Sequence, residues 1–155
     1  MPYTVLHFRG SEKLLTENNL MEDAEYTFSY VDLSLSNAHF KDELFRQSLA
    51  DLGWRDQKLT ILDGRRYQYK GLKRRIAIEG NFSSYEYILN GLCRLQIGFD
   101  KGKFDTAILM LNSIRGDRSP YGSTSELIQQ EIEDLFPTIS MPVTIVLFSF
   151  EPQES

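Results

Sequence analysis

Two apolar runs separated by one amphipathic stretch constrain the fold of this chain more than any other feature. The runs are "RRIAIEGN", residues 74–81, and "FDTAILML", residues 104–111. Between them, Ser83 and Glu86 have the spacing of a capping box that opens a helix. A strand, a helix and a second strand in this order, around residues 76–111, favour parallel pairing of the two strands. The side chains predicted to face the core from this helix are Tyr85, Ile88, Leu89, Leu92 and Cys93.

The other segments extend this unit into a mixed α/β sheet. Residues 37–54 have apolar positions at helical spacing, with Asn37 as the predicted N-cap and Gly53 near the C-terminal end. The dipeptide Asp63-Gly64 predicts a hairpin between two β-prone runs, hence antiparallel pairing before residue 76. Ser123 and Glu126 form a second capping box, opening a helix that stops near Pro137, and "MPVTIVLFSF" is a final strand. We predict a mixed central β-sheet with helices on both faces.

The length of 155 residues fits a single domain, 1–155, in which residues 1–36 are the hardest part to interpret. "YTVLHF" and "EYTFSY" are both predicted to be strands, the second because aromatic side chains alternate in it. There is no secretory leader and no membrane-spanning run, so we expect a cytoplasmic protein without a membrane partner. One cysteine and two isolated histidines provide neither an internal disulfide nor a zinc site.

The charge is unevenly distributed along the chain. Residues 65–75 contain six basic side chains and no acid, whereas the rest of the chain contains the other 11 basic residues and all 22 acids. The net charge of −5 argues against a protein that coats nucleic acid through bulk electrostatics. A local basic patch that includes Lys70 and Lys73 is nevertheless suited to binding phosphates, although a solvated hairpin face has the same composition.

The order of elements and several segments resemble a known family. "RRIAIEGNF", the following helix, "FDTAILML", the loop "RGDRSPYGSTSEL" and "PVTIVLFSF" are similar, in sequence and in order, to the C-terminal half of BglII-type restriction endonucleases. The resemblance covers about residues 37–150. It implies the restriction-endonuclease-like core called PD-(D/E)XK, in which acids on the second and third strands hold a catalytic Mg²⁺, with Mn²⁺ as a substitute.

Glu79 and Asn81 match the two family positions at the end of the third strand. The resemblance implies that Glu79 is a metal ligand and that Asn81 orients water or a phosphate oxygen, since an amide is not a general base. Without the resemblance, Glu79 is equally consistent with a carboxylate that reaches solvent or pairs with an arginine, and Asn81 with a loop or capping residue.

The chain departs from the family at the second acid. The aspartate that the family has on the preceding strand aligns with Lys70, or with its neighbours Gln68 and Tyr69. Asp63 is the nearest upstream acid and is therefore our candidate for the missing catalytic and metal ligand. As part of Asp63-Gly64, it is also explained by a turn alone.

The polar loop after residue 111 is the predicted DNA-reading segment. In the family the corresponding loop lies in the major groove, and arginines in such a position can read guanine through two hydrogen bonds. The resemblance implies a Mg²⁺-dependent endonuclease acting on double-stranded DNA as a homodimer. The alternative is a catalytically inactive descendant that binds DNA or a protein partner. The predicted DNA-binding loop residues are Arg115, Arg118, Ser119, Tyr121 and Ser123.

Overall fold

The computed structural model describes residues 3–82, 87–113 and 124–150. In chain order, ten helices and strands have their bounds within these ranges. They are β1 (Tyr3–Phe8), α1 (Ser11–Glu17), α2 (Met21–Leu35), α3 (Lys41–Asp51), β2 (Gly71–Lys73), β3 (Ile76–Gly80), α4 (Tyr87–Asp100), β4 (Thr106–Asn112), α5 (Ser125–Asp134) and β5 (Val143–Phe148).

The strands form one mixed sheet in the order β1-β5-β4-β3-β2. Strands β3, β4 and β5 are parallel, whereas β2 pairs with β3 and β1 pairs with β5 in the antiparallel sense. The parallel strands are connected through α4 and α5, as expected for crossover connections. The predicted mixed sheet is therefore confirmed.

Helices cover both faces of the sheet. Ile76 and Ile78 of β3 join the core cluster that contains Phe28 of α2 and Phe45 of α3. The intervening Ala77 joins the opposite cluster with apolar residues of α4 and α5. Successive side chains of a strand point to opposite faces, so a strand buried on both sides must be apolar almost throughout. Glu79, on the Ala77 side, is the exception in β3.

The first 36 residues belong to the same core. β1 is a strand, as predicted, and it forms one edge of the sheet. The second predicted strand, "EYTFSY", is wrong, because these residues lie within α2. Their alternating aromatic pattern is misleading, since Phe28 is buried whereas Tyr26 is 61% exposed. The burial follows helical spacing through Ala24, Phe28, Val31 and Leu35.

The boundaries of α3 and α5 differ from the predicted caps. Phe40, not Asn37, is the N-cap of α3, and Asn37 lies in a left-handed conformation before it. Gly53 follows the end of α3 with φ 83°, which confirms the predicted terminal glycine. Thr124 caps α5, where its hydroxyl accepts a hydrogen bond from the amide of Leu127. Both capping boxes involve Ser83, Glu86 or Ser123, which lie outside the described residues.

The predicted hairpin around Asp63-Gly64 is shorter than expected. Its two arms pair through a single antiparallel bridge between Thr60 and Gln68, flanked by a hydrogen bond from the Tyr69 amide to the Leu59 carbonyl. Gly64 adopts φ 76°, which suits the predicted turn. The strand that pairs with β3 is β2, which begins only at Gly71.

The orientation of α4 differs from the predicted one. Leu89 and Cys93 are exposed rather than packed in the core. Gly91 faces the sheet instead, so closely that a Cβ at this position would lie 2.6 Å from Leu109 Cδ1. This close approach rotates the helix so that Leu92 and Leu95 are buried and Cys93 faces outward. In the described part of the chain, no helix is long and apolar enough to span a membrane.

Candidate nucleic-acid interface

The site around Glu79 is built where β2 and β3 pair. Gly71 lies opposite Ile78, and the pairing continues one residue further because the Lys70 amide donates to the Ile78 carbonyl at 3.1 Å. The same amide donates to Glu79 Oε1 at 3.0 Å. Lys70 therefore lies directly beside Glu79, at the position where the family resemblance implies an acid.

The Glu79 carboxylate is fully buried and held by three donors. Tyr87 Oη donates to Oε2 at 2.8 Å, and Arg94 Nε donates to the same oxygen at 2.7 Å. The backbone amide of Lys70 donates to Oε1. A carboxylate removed from water is tolerated only with a charged partner and hydrogen bonds of this kind. Glu79 is thus compensated inside the protein by an arginine, but this is Arg94 of α4 and not Arg74, the strand arginine that the sequence suggested.

The arginine and tyrosines of this site are fixed by further contacts. Arg94 Nη2 donates to the Gln68 carbonyl at 2.6 Å, and Tyr69 Oη donates to the Arg94 carbonyl at 2.9 Å. Burial, and then the negative charge of Glu79, raise the pKa of Tyr87 well above its ordinary value. The Tyr87 phenol is therefore protonated at neutral pH and remains a donor to the carboxylate.

Further charges gather around Lys70. The lysine is half-buried, and burial followed by the positive charge of Arg46 lowers its pKa, while Glu79 and Asp42 act in the opposite direction. Arg46 and Asp42 both belong to α3. Asp42 Oδ1 is buried and has no hydrogen-bond partner among the described residues.

These residues do not fit a Mg²⁺ ion as they are arranged. Mg²⁺ requires hard oxygen ligands with free lone pairs, usually at least one or two carboxylates. Three protein donors take three of the roughly four acceptor positions of Glu79, Arg94 neutralises its charge, and Lys70 stands where the resemblance implies the second acid. Among the residues in the described ranges, no group of three or more His, Cys, Asp or Glu side chains is positioned to hold a metal ion.

The structure separates the predicted ligand Asp63 from Glu79. Asp63 is exposed in the turn beyond the Thr60–Gln68 bridge, whereas Lys70 lies on the other side of that bridge. Asn81 directly follows β3, and its backbone N–H donates to the Met110 carbonyl at 3.2 Å. Because alternate residues of a strand share a face, Asn81 lies on the same side as Glu79.

The basic residues of the 65–75 stretch have different surroundings. The Lys73 ammonium contacts Asp23 Oδ2 at 2.7 Å and the Leu52 carbonyl at 3.0 Å, and it lies over the Trp54 ring. Arg75 pairs with Asp105 at 2.8 Å. Arg65 and Arg66 are exposed near the hairpin turn. The predicted patch is thus partly neutralised by the acidic body of the protein.

The predicted loop residues Arg115, Arg118, Ser119, Tyr121 and Ser123 lie outside the described residues. The start of the loop is nevertheless defined, because Ser113 follows the last residue of β4. Gly80 pairs with Met110 two residues before that end. The loop therefore begins at the same edge of the sheet as Glu79 and Asn81.

Four residues of the site and its charge cluster were not among those predicted from the sequence: Asp42, Arg46, Tyr87 and Arg94. Arg94 carried a detectable signal, because it is the single charged residue within the otherwise uncharged stretch "YILNGLCRLQIGF". It follows Tyr87 by seven residues, and this spacing of two helical turns places both side chains on one face of α4. Asp42 gave no comparable signal, because it lies in a generally charged helix.

A mixed five-stranded sheet covered by helices on both faces, with Glu79 at the end of its third strand, defines a restriction-endonuclease-like fold. The crystal structure of the restriction endonuclease BglII complexed with a DNA 16-mer has this fold, with a TM-score of 0.68 and 17% identity over 100% of this chain and 79% of that chain. Free BglII matches with a TM-score of 0.57 and 16% identity over 100% and 82%. The TM-scores establish a shared fold, and at such low identity they assign no activity.

No family model and no curated protein match this chain. The fold class predicted from the sequence is confirmed, and the predicted resemblance is confirmed at the level of the fold.

Proposed function

We propose that this protein binds double-stranded DNA through the edge of the sheet that carries Glu79 and Asn81, and that it does not hydrolyse the DNA backbone with Mg²⁺. The state of Glu79 is the observation that carries this proposal. Its carboxylate is fully buried and bound by Arg94, Tyr87 and the Lys70 amide. These donors take three of its roughly four acceptor positions, and Arg94 neutralises its charge, so a metal ion would have to compete with Arg94 for this carboxylate.

Several observations support DNA as the partner. BglII, which has the same fold, was crystallised with a DNA 16-mer. In this chain, Lys70 and Arg46 add positive charge near the sheet edge from which the polar loop begins. Arg65 and Arg66 are exposed on the neighbouring hairpin. Basic side chains that neutralise phosphates favour DNA binding through the release of counterions.

The test is a paired binding and cleavage experiment. We expect the protein to retard duplex DNA in the presence of EDTA, with an affinity that falls as salt rises, and to leave plasmid and phage DNA intact with Mg²⁺ or Mn²⁺. Arg65→Ala combined with Arg66→Ala should reduce the slope of log affinity against log salt by about 2, because each phosphate contact contributes about 0.9. Discrete metal-dependent fragments that disappear in Glu79→Gln would contradict the proposal.

A Mg²⁺- or Mn²⁺-dependent endonuclease is the second candidate function, and one observation favours it. Asp42 Oδ1 is a buried carboxylate oxygen without a hydrogen-bond partner among the described residues, and such an atom is a potential cation ligand. In this alternative, the carboxylates of Asp42 and Glu79 would hold the metal ion. Asp63 is the other candidate for the second metal-binding acid, and it was proposed from the sequence.

Calorimetry with Mn²⁺ distinguishes the two candidates. For the non-hydrolysing protein, we expect no saturable Mn²⁺ binding at millimolar concentration, with or without DNA, because Mn²⁺ would compete with Arg94 for Glu79. Saturable binding that is lost in Asp42→Asn and retained in Asp63→Asn would instead support the endonuclease and identify the second acid.

We also propose that the protein is a homodimer, because α4 exposes an apolar stripe. Leu89, Cys93 and Ile97 are spaced by four residues on its outer face, and all three are exposed. In a two-fold dimer the same stripe meets its own copy. Oxidation should then cross-link two chains through Cys93, whereas Cys93→Ser should give no covalent dimer, and light scattering should report twice the chain mass.

A further inference from the structure

We propose that Lys70 and Arg46 form a binding site for a phosphate group, and that a DNA backbone phosphate occupies it directly, without a bridging metal ion. This inference rests on the proposed function, because it identifies which groups contact the DNA backbone. It differs from the sequence prediction by pairing Lys70 with a residue of α3 rather than with Lys73.

Among the residues of the described ranges, the Lys70 ammonium has no hydrogen-bond or ion-pair partner. Lys73, Arg75 and Arg94 differ in this respect, because they are bound to the carboxylates of Asp23, Asp105 and Glu79 respectively. The backbone of Lys70 is nevertheless fixed, since its amide binds Glu79 and its carbonyl accepts a hydrogen bond from Arg55 at 2.7 Å. The side chain is therefore a donor at a fixed position.

The charges around Lys70 favour an anion. Helix α3, which carries Arg46, packs beside Lys70, since a Cβ at the adjacent Gly71 would lie 3.5 Å from Leu49 Cδ1. Three cationic side chains lie around Lys70: those of Arg46, Arg55 and Arg94. Two acids, Asp42 and Glu79, lie in the same cluster, and Arg94 already neutralises Glu79. Burial, and then the positive charge of Arg46, lower the pKa of both Lys70 and Arg55. An incoming phosphate would reduce this repulsion between cations.

The position of Lys70 and Arg46 favours a phosphate that is part of a large ligand. Lys70 is half-buried and Arg46 is exposed, so the site opens from the protein surface toward the β2–β3 edge. The polar loop after Ser113 begins at the same edge. A lysine is a point charge that binds phosphate without a fixed orientation, whereas an arginine can bind two of its oxygens. Together they suit a phosphodiester that crosses this edge.

The test compares the salt dependence of DNA binding for three single substitutions: Lys70→Gln, Arg46→Gln and, as a control, Lys13→Gln. The Lys13 side chain is 79% exposed on α1 and pairs with Glu17, so its substitution removes the same charge elsewhere. We expect Lys70→Gln and Arg46→Gln each to weaken binding and to reduce the salt slope by about 0.9, with no change for Lys13→Gln. Circular dichroism checks that each variant is folded. If Lys70→Gln is unstable, Arg46→Gln still tests the site, because Arg46 is exposed.

The outcomes separate this inference from the proposed function. If the parent protein binds DNA and the three variants have the same slope, DNA binding stands and the phosphate site is overturned. If the parent protein does not bind DNA, the proposed function fails, and calorimetry with inorganic phosphate then tests the site itself. Phosphate binding that is lost in Lys70→Gln supports the site, and its absence in the parent protein overturns it.

Discussion

Substitution of Arg94 by alanine is expected to lower the free energy of unfolding by about 3 to 5 kcal/mol, the range found when one partner of a buried ion pair is removed. Glu79 is fully buried, and Arg94 is its only ion-pair partner among the described residues. The loss would leave a carboxylate with hydrogen bonds from Tyr87 and the Lys70 amide but without a compensating charge. Urea denaturation, with the midpoint and slope both measured, gives the value.

Arg75→Ala is the matched control for this measurement. Arg75 also pairs with an acid at 2.8 Å, but both side chains are about half exposed, so the expected loss is below about 1 kcal/mol. The double variant Glu79→Gln with Arg94→Met should recover much of the loss, because it removes both charges together. Equal stabilities of Arg94→Ala and Arg75→Ala would show that Glu79 does not depend on Arg94.

Gly80→Ala is expected to destabilise the protein by about 1 to 3 kcal/mol, as is usual for overpacking of a core. A Cβ at residue 80 would lie 2.9 Å from the Met110 carbonyl oxygen and 2.9 Å from Phe45 Cε2. The carbonyl belongs to β4, so it cannot move without disturbing the pairing of β3 with β4. Because Gly80 lies between Glu79 and Asn81, the shift also displaces both site residues.

The double variant Gly80→Ala with Phe45→Leu separates the two contacts. A smaller side chain at residue 45 relieves the contact with the ring but not the contact with the carbonyl. We therefore expect thermal melting to show that Gly80→Ala lowers the stability by no more in the Phe45→Leu background than in the parent. The double variant should still be less stable than Phe45→Leu alone. Complete compensation would mean that the backbone contact is unimportant.

The sheet was predictable because its central strands are apolar on both faces. β3, β4 and β5 are short apolar runs separated by helical stretches, and the connections of a parallel sheet follow from that order. The helical structure of residues 25–30 was not predictable from the sequence, because Tyr26, Phe28 and Tyr30 alternate with polar residues as in a strand. Only packing in the folded protein, with Phe28 inside and Tyr26 outside, distinguishes the two possibilities.

The site was predictable only in part. Glu79 is recognisable as an acid at the end of a buried strand, and the sequence also shows that a lysine, Lys70, stands where the resemblance implies a second acid. That Arg94 is the partner of Glu79 is not visible, because the two residues meet through the packing of α4 against β3. The charge cluster with Asp42 and Arg46 likewise depends on the position of α3, which the sequence does not specify.

The pairing of β1 with β5 has a consequence for how the chain folds. Tyr3 lies opposite Phe148, and Phe8 lies opposite Val143, so one edge of the sheet joins segments that are 135 to 145 residues apart in the chain. Closing so large a loop carries an entropic penalty and slows folding. During synthesis, residues 3–8 must remain without their sheet partner until β5 has left the ribosome. We therefore expect β1 to be the last strand to join the sheet.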